Sequence, residues 1–577
     1  MTKSPKKEYF SVVRDISPNI GNGHGGEDDL VKIHNGTNGT AYQHPPFCRI
    51  MCKDTLKKKG LKQTATVIAL VVAPLLCLAV TLGWIIAPCI IRYEILKKAV
   101  ISPEVNPDLY SAWIHPPIPV YLKIYLFNIT NTNEFKNGMK PELQEIGPFI
   151  FRENRTKVSI HHEDSDDTIT YGEHISYHFE KDLSGDAKLK DKVTLINVPF
   201  AAAAIKIHQD LPWPMDDIGK MILINYKEPL FIEKTVEEVL FKGWKVPFLE
   251  RLEKDVGITL MPNNTFGLFI GQNDTTQGPY TISRGTTNKS SFGAVLKYKN
   301  QTELDFWPKS SSCNKIMGTD GTLFPPFVQK GTVLRLFNAE LCRSLYLTYN
   351  KDTYFEGIEA YRFTAPPGVL KDPLEGKNNE NRCFCIYDEN EDASGKCLKQ
   401  GAMDLGPCRE GAPIAMSTPH FLDANPEYID NSGLVPDRSK HETFLEIEPT
   451  TGLILKASKK IQINLMLKRV KGISSMSKVP EMLLPLVWAD ECASLDQDNL
   501  EKFKSALFYL WLVGFLAKWG LLGTTFVFSL FLVTRNLRCK GKSFTPLFVS
   551  NNKKCSAIDG NGYKLNNYSV TETNDVS

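Results

Sequence analysis

The stretch TATVIALVVAPLLCLAVTLGWIIAPCII, residues 64–91, decides the class of this protein, because it has no charged side chain in 28 residues. As an α-helix it would be about 42 Å long, whereas the hydrocarbon core of a bilayer is about 30 Å thick. A secretory signal peptide has an apolar region about half as long, close to the start of the chain, and here 63 residues precede the run. We therefore expect an uncleaved transmembrane helix over residues 64–91.

A second apolar segment runs from Ser505 to Thr534 and contains a single charged residue, Lys518. An ammonium group at mid-bilayer costs about 2.5–3.5 kcal/mol on insertion scales, whereas a lysine near the end of a span can extend to the interface. The second span is therefore expected over residues 512–534, with Lys518 in its first turns.

Basic residues flank both spans on their outer sides. Six lysines and arginines lie between Arg49 and Lys62, and four lie between Arg535 and Lys542. Positive charge stays on the cytosolic side, so the tails 1–63 and 535–577 are both expected in the cytosol. The first 47 residues are rich in Gly, Asn and charge and are expected to be disordered. Residues 92–511 then form one extracytoplasmic domain, anchored at both ends.

The cysteines of this domain indicate an oxidising compartment. Six of its seven cysteines are clustered, which predicts three disulfides with 15 possible pairings, and the spacing does not fit a zinc site. Cys492 is left over, as a buried free thiol or an intermolecular link. The clustered six are Cys313, Cys342, Cys383, Cys385, Cys397 and Cys408.

Glycosylation motifs agree with this topology, because six N-x-S/T sequons fall in the extracytoplasmic domain. The expected glycan acceptors are Asn128, Asn154, Asn263, Asn273, Asn288 and Asn300.

Alternating apolar residues dominate the domain. Val120, Leu122, Ile124 and Leu126 share one face of a predicted strand. Residues 461, 463, 465 and 467 share one face of a second predicted strand. The sequence alone leaves open whether this second face lines a packed core or an internal tunnel. The bulk therefore reads as a large antiparallel sheet or barrel. Residues 201–244 depart from this pattern, with helix formers and apolar spacings of three and four, and predict a helical cluster.

Chemistry typical of enzymes is missing from the sequence. The domain has no G-x-S-x-G, no H-E-x-x-H and no phosphate-binding glycine loop, and the acidic run at 388–392 lacks the glycine and glutamate of a calcium loop. The net charge of +3 disfavours nucleic-acid binding. We expect no catalytic residue, no metal site and no cofactor.

Several long motifs resemble the class B scavenger receptor family. They are WIHPPIPVYLKIYLFNITNTNEFKNGMKPELQEIGPFIFRE (113–153), GTDGTLFPPF (318–327), CFC (383–385) and FLEIEPTTGLILKASKKIQINLML (444–467). The family includes the fatty-acid translocase, a lysosomal integral membrane protein that carries a hydrolase, and the sensory neuron membrane proteins. The resemblance implies an α+β membrane protein, in which two transmembrane helices flank one large antiparallel β-barrel-like ectodomain with a helical apex bundle at about 201–250 and an apolar tunnel.

The resemblance also implies particular residue roles. It pairs Cys313 with Cys383, Cys342 with Cys408, and Cys385 with Cys397, within a disulfide region at 313–408. Cysteines beside the spans of relatives carry palmitoyl groups, which makes Cys52 and Cys539 candidates.

Apex lysines of the family attract anionic ligands, and Lys227 falls near such a position. Lys220 and Lys227 are therefore expected as ligand contacts, and His208 could make binding pH-sensitive if a carboxylate lies beside it.

The expected function is a plasma-membrane receptor that binds lipids, fatty acids, sterols or lipoprotein-like particles at the apex and passes apolar cargo through the tunnel to the membrane. Two alternatives stay open, a lysosomal sorting receptor for a lumenal protein and an adhesion glycoprotein. Tyr9 to Val12 fits a Y-x-x-Φ sorting signal, so endosomes and lysosomes also stay open as locations. The ligand, the oligomeric state and the role of the long amino-terminal tail are not predicted.

A stripe of small residues marks the first span. Ala79, Gly83 and Ala87 are four residues apart, a spacing that lets two helix backbones approach closely. The expected partner is the second span or another protomer.

Overall fold

A computed structural model describes residue 66 and residues 68–256, 261–309, 311–376, 380–386 and 397–541. The predicted sites at Tyr9, Val12 and Cys52 lie outside these residues, as does the side chain of Cys539. The chain forms two compact units. The larger, Pro74–Phe531, holds the sheet and most of both long helices, and the smaller is described only where those helices end.

Nine helices are described here, of which the first and last are long and apolar enough to cross a membrane. They are α1 (Leu70–Lys98), α2 (Pro107–Ile114), α3 (Thr132–Lys136), α4 (Val198–Asp210), α5 (Met215–Asn225), α6 (Pro247–Val256), α7 (Pro426–Ser432), α8 (Arg438–His441) and α9 (Gln497–Arg535).

Strands make up most of the chain between α1 and α9. The first nine are β1 (Val120–Ile129), β2 (Leu143–Glu163), β3 (Thr168–Phe179), β4 (Lys192–Ile196), β5 (Phe231–Thr235), β6 (Trp244–Lys245), β7 (Thr265–Phe266), β8 (Thr275–Ser283) and β9 (Val295–Tyr298). The others are β10 (Leu334–Asn338), β11 (Arg343–Phe355), β12 (Ile358–Thr364), β13 (Ala402–Asp404), β14 (Ile414–Ser417), β15 (Phe444–Ile447), β16 (Ile454–Leu467) and β17 (Met482–Ser494).

One large antiparallel sheet organises the molecule, in the order β10-β11-β12-β15-β16-β17-β1-β2-β3-β8-β9, with β14 pairing beside β16 and β13 beside β14. The chain's first and last long strands, β1 and β17, are neighbours at its centre. The sheet curls into a nearly closed barrel, and α1 and α9 flank it in sequence. The predicted class, an α+β membrane protein with a barrel-like ectodomain, is confirmed.

A short irregular segment joins the two ends of the sheet. Thr319 bridges Ala294, next to β9, on one side and Leu336 in β10 on the other. The backbone of Gly318 accepts a hydrogen bond from Val295 N at 2.8 Å. Because edge strands expose unpaired backbone groups, this bridge satisfies groups that an open sheet would leave free.

Side chains alternate between two faces of the sheet. On β1 the buried residues Leu122, Ile124 and Leu126 face the same side, as the sequence pattern predicts. They pack into one core cluster with residues of α4, including Phe200 and Ala204. The helical segment therefore covers one end of the inner face.

The last long helix begins on the sheet itself. Asp496 caps α9 by accepting a hydrogen bond from Asn499 N at 2.8 Å. Leu500, one turn later, is 1% exposed and packs with Leu455 of β16 and Ile358 of β12. This packing ties the orientation of the helix to the sheet at its amino-terminal end.

Candidate functional site

The helical cluster forms a cap on the sheet. Asn197 accepts a hydrogen bond from Phe200 N and so begins α4. A β-carbon added at Gly219 of α5 would lie 2.8 Å from Ile207 Cγ2 of α4, so only glycine allows this close crossing. Helices α4 and α5 therefore pack as one unit.

Lys220, expected as a ligand contact, turns away from solvent in this structure. Its side chain is covered, and Nζ donates to Asp216 Oδ2 at 2.7 Å and lies 3.3 Å from Asp217 Oδ1. Hydrogen bonding to Asp216 raises the pKa of Lys220 and, in the same pair, lowers the pKa of Asp216. The ammonium is bound within the cap and is not presented to a ligand, because the helix turns its charged face inward.

The other two expected contacts lie at the surface. Lys227 is exposed and has a positive φ of 53° directly after α5. His208 is exposed at the end of α4, and its Nδ1 lies 4.0 Å from Asp216 Oδ2. The same carboxylate oxygen accepts from Lys220 Nζ at 2.7 Å.

The outer surface of the cap is apolar. Methionine and isoleucine side chains recur along the outward face of α5, where the expected charged contacts would lie, and Trp213 just before the helix is 80% exposed. Exposed apolar patches of this kind mark sites of contact with other molecules. We call this surface the apex patch; it consists of Leu211, Trp213, Met215, Ile218, Met221, Ile222 and Ile224.

An aromatic cluster lies where the cap meets the sheet. The ring of Phe241 is 5.1 Å from that of Tyr177 and 5.5 Å from that of Phe269, and Phe179 packs nearby against Phe151. Phe151 is buried, and the other four rings are only partly buried. They form an apolar surface that leads from the cap to the inner face.

Charged side chains line the inner face below this cluster, with Arg155 of β2 at their centre. Its guanidinium donates to carboxylates on three strands: Glu153 on β2, Glu173 on β3 at 3.3 Å and Glu491 on β17 at 2.7 Å. Each of the three guanidinium nitrogens therefore contacts a different carboxylate. The strands are thus connected by ion pairs across the interior.

The ion pairs continue to both sides of Arg155. Lys459 of β16 donates to Glu491 at 2.7 Å and lies 3.4 Å from Glu340. On the other side, Lys157 pairs with Glu173 and lies 3.8 Å from Asp320 in the closing segment. We call this chain the charged belt; it consists of Glu153, Arg155, Lys157, Glu173, Asp320, Glu340, Lys459 and Glu491.

Part of the belt keeps accessible side-chain surface. Lys459 and Glu491 are surrounded by protein, yet 34% and 24% of their side-chain surface is accessible. On the same face of β16, Leu465 and Leu467 are fully buried while Ile461 and Ile463 keep accessible surface. The face that sequence could not assign is therefore divided, with fully buried residues at one end and partly buried residues, packed against core clusters, at the other.

Burial and neighbouring charges shift the pKa values of two belt carboxylic acids, Glu153 and Glu491, in opposite directions. Desolvation raises the pKa of Glu153 to about 7, against the opposing effect of Arg155. Glu491 is also desolvated, but Lys459 and Arg155 together hold its pKa below the usual range. Glu153 thus keeps a proton to a higher pH than an ordinary glutamate does.

The six clustered cysteines form three disulfides: Cys313–Cys383, Cys342–Cys408 and Cys385–Cys397. These are the pairs that the family resemblance implies. They surround a small core in which Trp307 meets Phe384 edge to face at 4.9 Å.

Cys492 is a free, half-buried thiol on the outer side of β17. Burial raises its pKa, so it stays in the thiol form. It lines an outer groove of about 520 Å³ together with Tyr121 and Lys123.

Five of the six sequon asparagines have exposed side chains: Asn154, Asn263, Asn273, Asn288 and Asn300. Asn128 is half-buried and joins β1 to β4, because its Oδ1 accepts from Thr194 N at 2.8 Å. Its side-chain nitrogen donates to Gln144 Oε1 at 3.4 Å.

Sequence reasoning missed the charged belt, although a signal for it exists. Glu153, Arg155 and Lys157 alternate on β2 in phase with buried Phe151, and Lys459 is in phase with Ile461. Residues two apart on a strand face the same side. Charged residues that continue a buried apolar face indicate a polar interior.

Comparisons with known proteins agree with this architecture. The model of a family described as the CD36 family matches residues 70–535. Scavenger receptor class B member 1 of Rattus norvegicus is 33% identical over 501 residues, covering 86% of this chain and 94% of the relative.

Two further relatives carry different names. Lysosome membrane protein 2 of Homo sapiens is 32% identical over 408 residues, covering 69% of this chain and 80% of its own. Sensory neuron membrane protein 1 of Manduca sexta is 32% identical over 463 residues, covering 77% of this chain and 85% of the relative. The family match includes both long helices and the whole sheet between them, and the chain therefore belongs to the CD36 family, the class B scavenger receptors.

Proposed function

We propose that this protein is a cell-surface receptor that binds lipid-rich particles at the apex patch and passes single amphiphilic lipids through the interior of the sheet to the membrane. Membership of the class B scavenger receptors supports a lipid-binding receptor. The observation that carries the particle-binding step is the outward apolar face of α5, with Met221 70% exposed. Burying such side chains against a lipid surface would contribute about 1.5–3 kcal/mol each.

The passage is supported by the accessible surface on the inner face. The aromatic cluster lies next to the cap, and Ile461 and Ile463 keep accessible area beyond it. A long alkyl chain gains about 0.8 kcal/mol per buried methylene, which favours transfer into an apolar passage before ordering costs. Both ends of the domain lead into apolar helices, so cargo leaving the passage would be released beside the bilayer.

The location follows from charge. Basic residues outside both spans favour cytosolic tails, which would place the sheet on the outside of the cell or in the lumen of an endosome or lysosome. A sequon engineered into residues 1–47 should stay unglycosylated in cells. Glycan addition there would contradict this topology.

Particle binding is tested on the full-length protein in cells with fluorescent emulsion particles of phosphatidylcholine and triolein. Ile218→Glu and Met221→Glu together should reduce binding at least about tenfold, because each places a charge where an apolar surface is proposed to be buried. Val435→Glu is the matched control, since Val435 is 76% exposed outside the apex patch. Equal binding by the apex variant and the control would exclude the apex patch as the binding surface.

Passage is tested separately, with the uptake of a fluorescent acyl lipid from the same particles. Ile463→Trp should reduce uptake and leave particle binding intact, because the larger ring would narrow the proposed passage at a partly buried position. Leu296→Trp on the exposed side of β9 should change neither measurement. Normal uptake by a folded Ile463→Trp variant would exclude passage at this position.

A sorting receptor for a lumenal protein remains the second candidate function, favoured by the likeness to lysosome membrane protein 2. It shares the apex patch but needs no passage. Unchanged lipid uptake by Ile463→Trp, together with a lumenal protein whose co-purification is lost in the apex variant, would support it.

A further inference from the structure

The charged belt carries more negative than positive groups. Five of its members are carboxylic acids and three are basic, and the ion pairs described above use all three bases. Arg409 also lies beside it, donating to the backbone oxygen of Glu340 at 2.6 Å, but its own side chain is exposed and it leaves the carboxylates in excess. An incoming carboxylate would therefore find no unpaired cation in the belt.

A row of three tyrosines adjoins the belt on the neighbouring strands. Tyr171, Tyr280 and Tyr298 are direct cross-strand neighbours on β3, β8 and β9, with ring centroids 5.6 and 5.0 Å apart. The Tyr171 hydroxyl donates to Asp320 Oδ2 at 2.9 Å, which joins the row to the belt. The rings of the row pack in a core cluster with Trp113 and Ile282, and the Tyr171 hydroxyl connects this cluster to the belt.

Tyr280 holds an unused hydroxyl within this cluster. The side chain is 7% exposed, and its hydroxyl forms no hydrogen bond with another residue in the part of the chain that the structure describes. It is not among the enclosed polar atoms that lack a partner, so the oxygen keeps some accessible surface. Burial and the carboxylates of Glu173, Asp320 and Glu340 nearby keep it protonated by raising its pKa. An accessible hydroxyl that no other residue engages is available to a ligand as both donor and acceptor.

We propose that the charged belt and the Tyr280 hydroxyl form a head-group subsite, selective for amphiphiles that end in a neutral hydroxyl, such as long-chain alcohols and sterols, over those that end in a carboxylate. This inference rests on the proposed passage and names its preferred cargo. A hydroxyl can accept from Tyr280 and donate to a belt carboxylate, so both ends of its hydrogen-bonding capacity are used.

A carboxylate head group would meet two costs at the same place. It would lose its hydration on leaving the particle, and it would approach an excess of carboxylates, which repel a like charge. The apolar tail is recognised in the same way for both classes. The discrimination therefore lies in the head group alone.

The test uses the full-length protein in lipid nanodiscs and two photoreactive probes with the same long alkyl chain, one ending in a hydroxyl and the other in a carboxylate. Labelling is measured at about pH 8, where the carboxylate probe is ionised and the pH lies above the raised pKa of Glu153, about 7. Cross-linked peptides are identified by mass spectrometry. We expect the hydroxyl probe to label peptides of β8 and β16 at roughly tenfold lower concentration than the carboxylate probe.

Two variants separate the contributions. Tyr280→Phe keeps the ring and should weaken labelling by the hydroxyl probe about threefold to tenfold, with the carboxylate probe unchanged. Glu340→Gln removes one negative charge at the partly exposed end of the belt. It should reduce the difference between the concentrations at which the two probes label the inner strands. Tyr354→Phe, on a side chain that is 73% exposed, is the control for loss of a tyrosine hydroxyl.

The outcomes distinguish this inference from the function on which it rests. Equal labelling of the inner strands by both probes would leave the passage standing and overturn the head-group selectivity. Labelling of the apex alone, by either probe, would overturn the passage and the subsite together. A preference for the hydroxyl probe that Tyr280→Phe and Tyr354→Phe reduce equally would overturn the role of Tyr280.

Discussion

The backbones of Gly83 in α1 and Ala517 in α9 are in contact, since a β-carbon added at Gly83 would lie 2.4 Å from the carbonyl oxygen of Ala517. Both residues belong to π-helical turns, Thr81–Ile86 and Leu516–Gly520, and the rings of Trp84 and Trp519 meet edge to face at 5.5 Å. Lipid supplies no hydrophobic force between helices, so close backbone packing stabilises this pair. At Gly83, the middle residue of the small-residue stripe, the partner is thus the second long helix of the same chain.

Gly83→Leu should separate the two spans and destabilise the protein by about 1–3 kcal/mol, the usual cost of overpacking. Thermal unfolding of the full-length protein in nanodiscs measures the effect. Gly523→Leu is the control, because a β-carbon at Gly523 meets no atom within 4 Å. Equal losses in the two variants would contradict the contact.

Gly318→Ala should prevent the barrel from closing. A β-carbon there would lie 2.0 Å from the carbonyl oxygen of Arg335. The residue also has a φ of +91°, a backbone conformation that destabilises a residue with a side chain by about 1–3 kcal/mol more. We expect a strong loss of folded protein, measured as exit from the endoplasmic reticulum. Gly331→Ala is the control, because a β-carbon at Gly331 meets no atom within 4 Å, and it should leave exit from the endoplasmic reticulum normal.

The long disulfide loops should stabilise the fold more than the short one. Cys313–Cys383 closes 70 residues and Cys385–Cys397 closes 12, so the chain-entropy model gives about 4 and about 3 kcal/mol. Urea unfolding should show a lower midpoint for the Cys313→Ser, Cys383→Ser variant than for Cys385→Ser, Cys397→Ser. The reverse order would show that native packing around the short loop outweighs loop entropy.

Glu153 should make the protein less stable as pH rises. Desolvation raises its pKa from 4.5 to about 7 in the folded state, so the folded protein keeps a proton that the unfolded chain has lost between these values. The penalty is absent below about pH 4.5 and complete above about pH 7. His441 acts in the opposite direction, because burial lowers its pKa from 6.5 to about 4 and stability rises with pH in that interval.

A variant isolates the Glu153 contribution. The free energy of unfolding of Glu153→Gln, relative to wild type, should increase by at least about 1 kcal/mol between about pH 5 and pH 8, because His441 contributes equally to both. Glu359→Gln, at an exposed position on β12, should show no such trend. A flat difference for Glu153→Gln would mean that the carboxylate is ionised throughout.

The candidate site was only partly predictable. The position of the cap could be read from the helical spacing at 201–244, but Lys220 and the apex patch could not, because their exposure depends on how α5 rotates against α4. Gly219 fixes that rotation by allowing contact with Ile207. The rotation places the Asp216–Lys220 ion pair inward and Met221 outward, which reverses the usual pattern of a surface helix.

The sequence by itself determined the two spans, the antiparallel strands and the oxidising compartment, since each depends on local quantities: an uncharged run longer than a bilayer, a period of two, and an even number of clustered cysteines. Tertiary structure alone decided which strands meet, because pairing between distant segments is set by the global fold of the sheet. Thus Lys459 and Glu491 become partners only when β16 and β17 align, and Thr319 joins β9 to β10 only after the sheet has curled. The charged belt has the same origin: its members are ordinary charged residues in the sequence, and closure of the barrel gathers them around one interior.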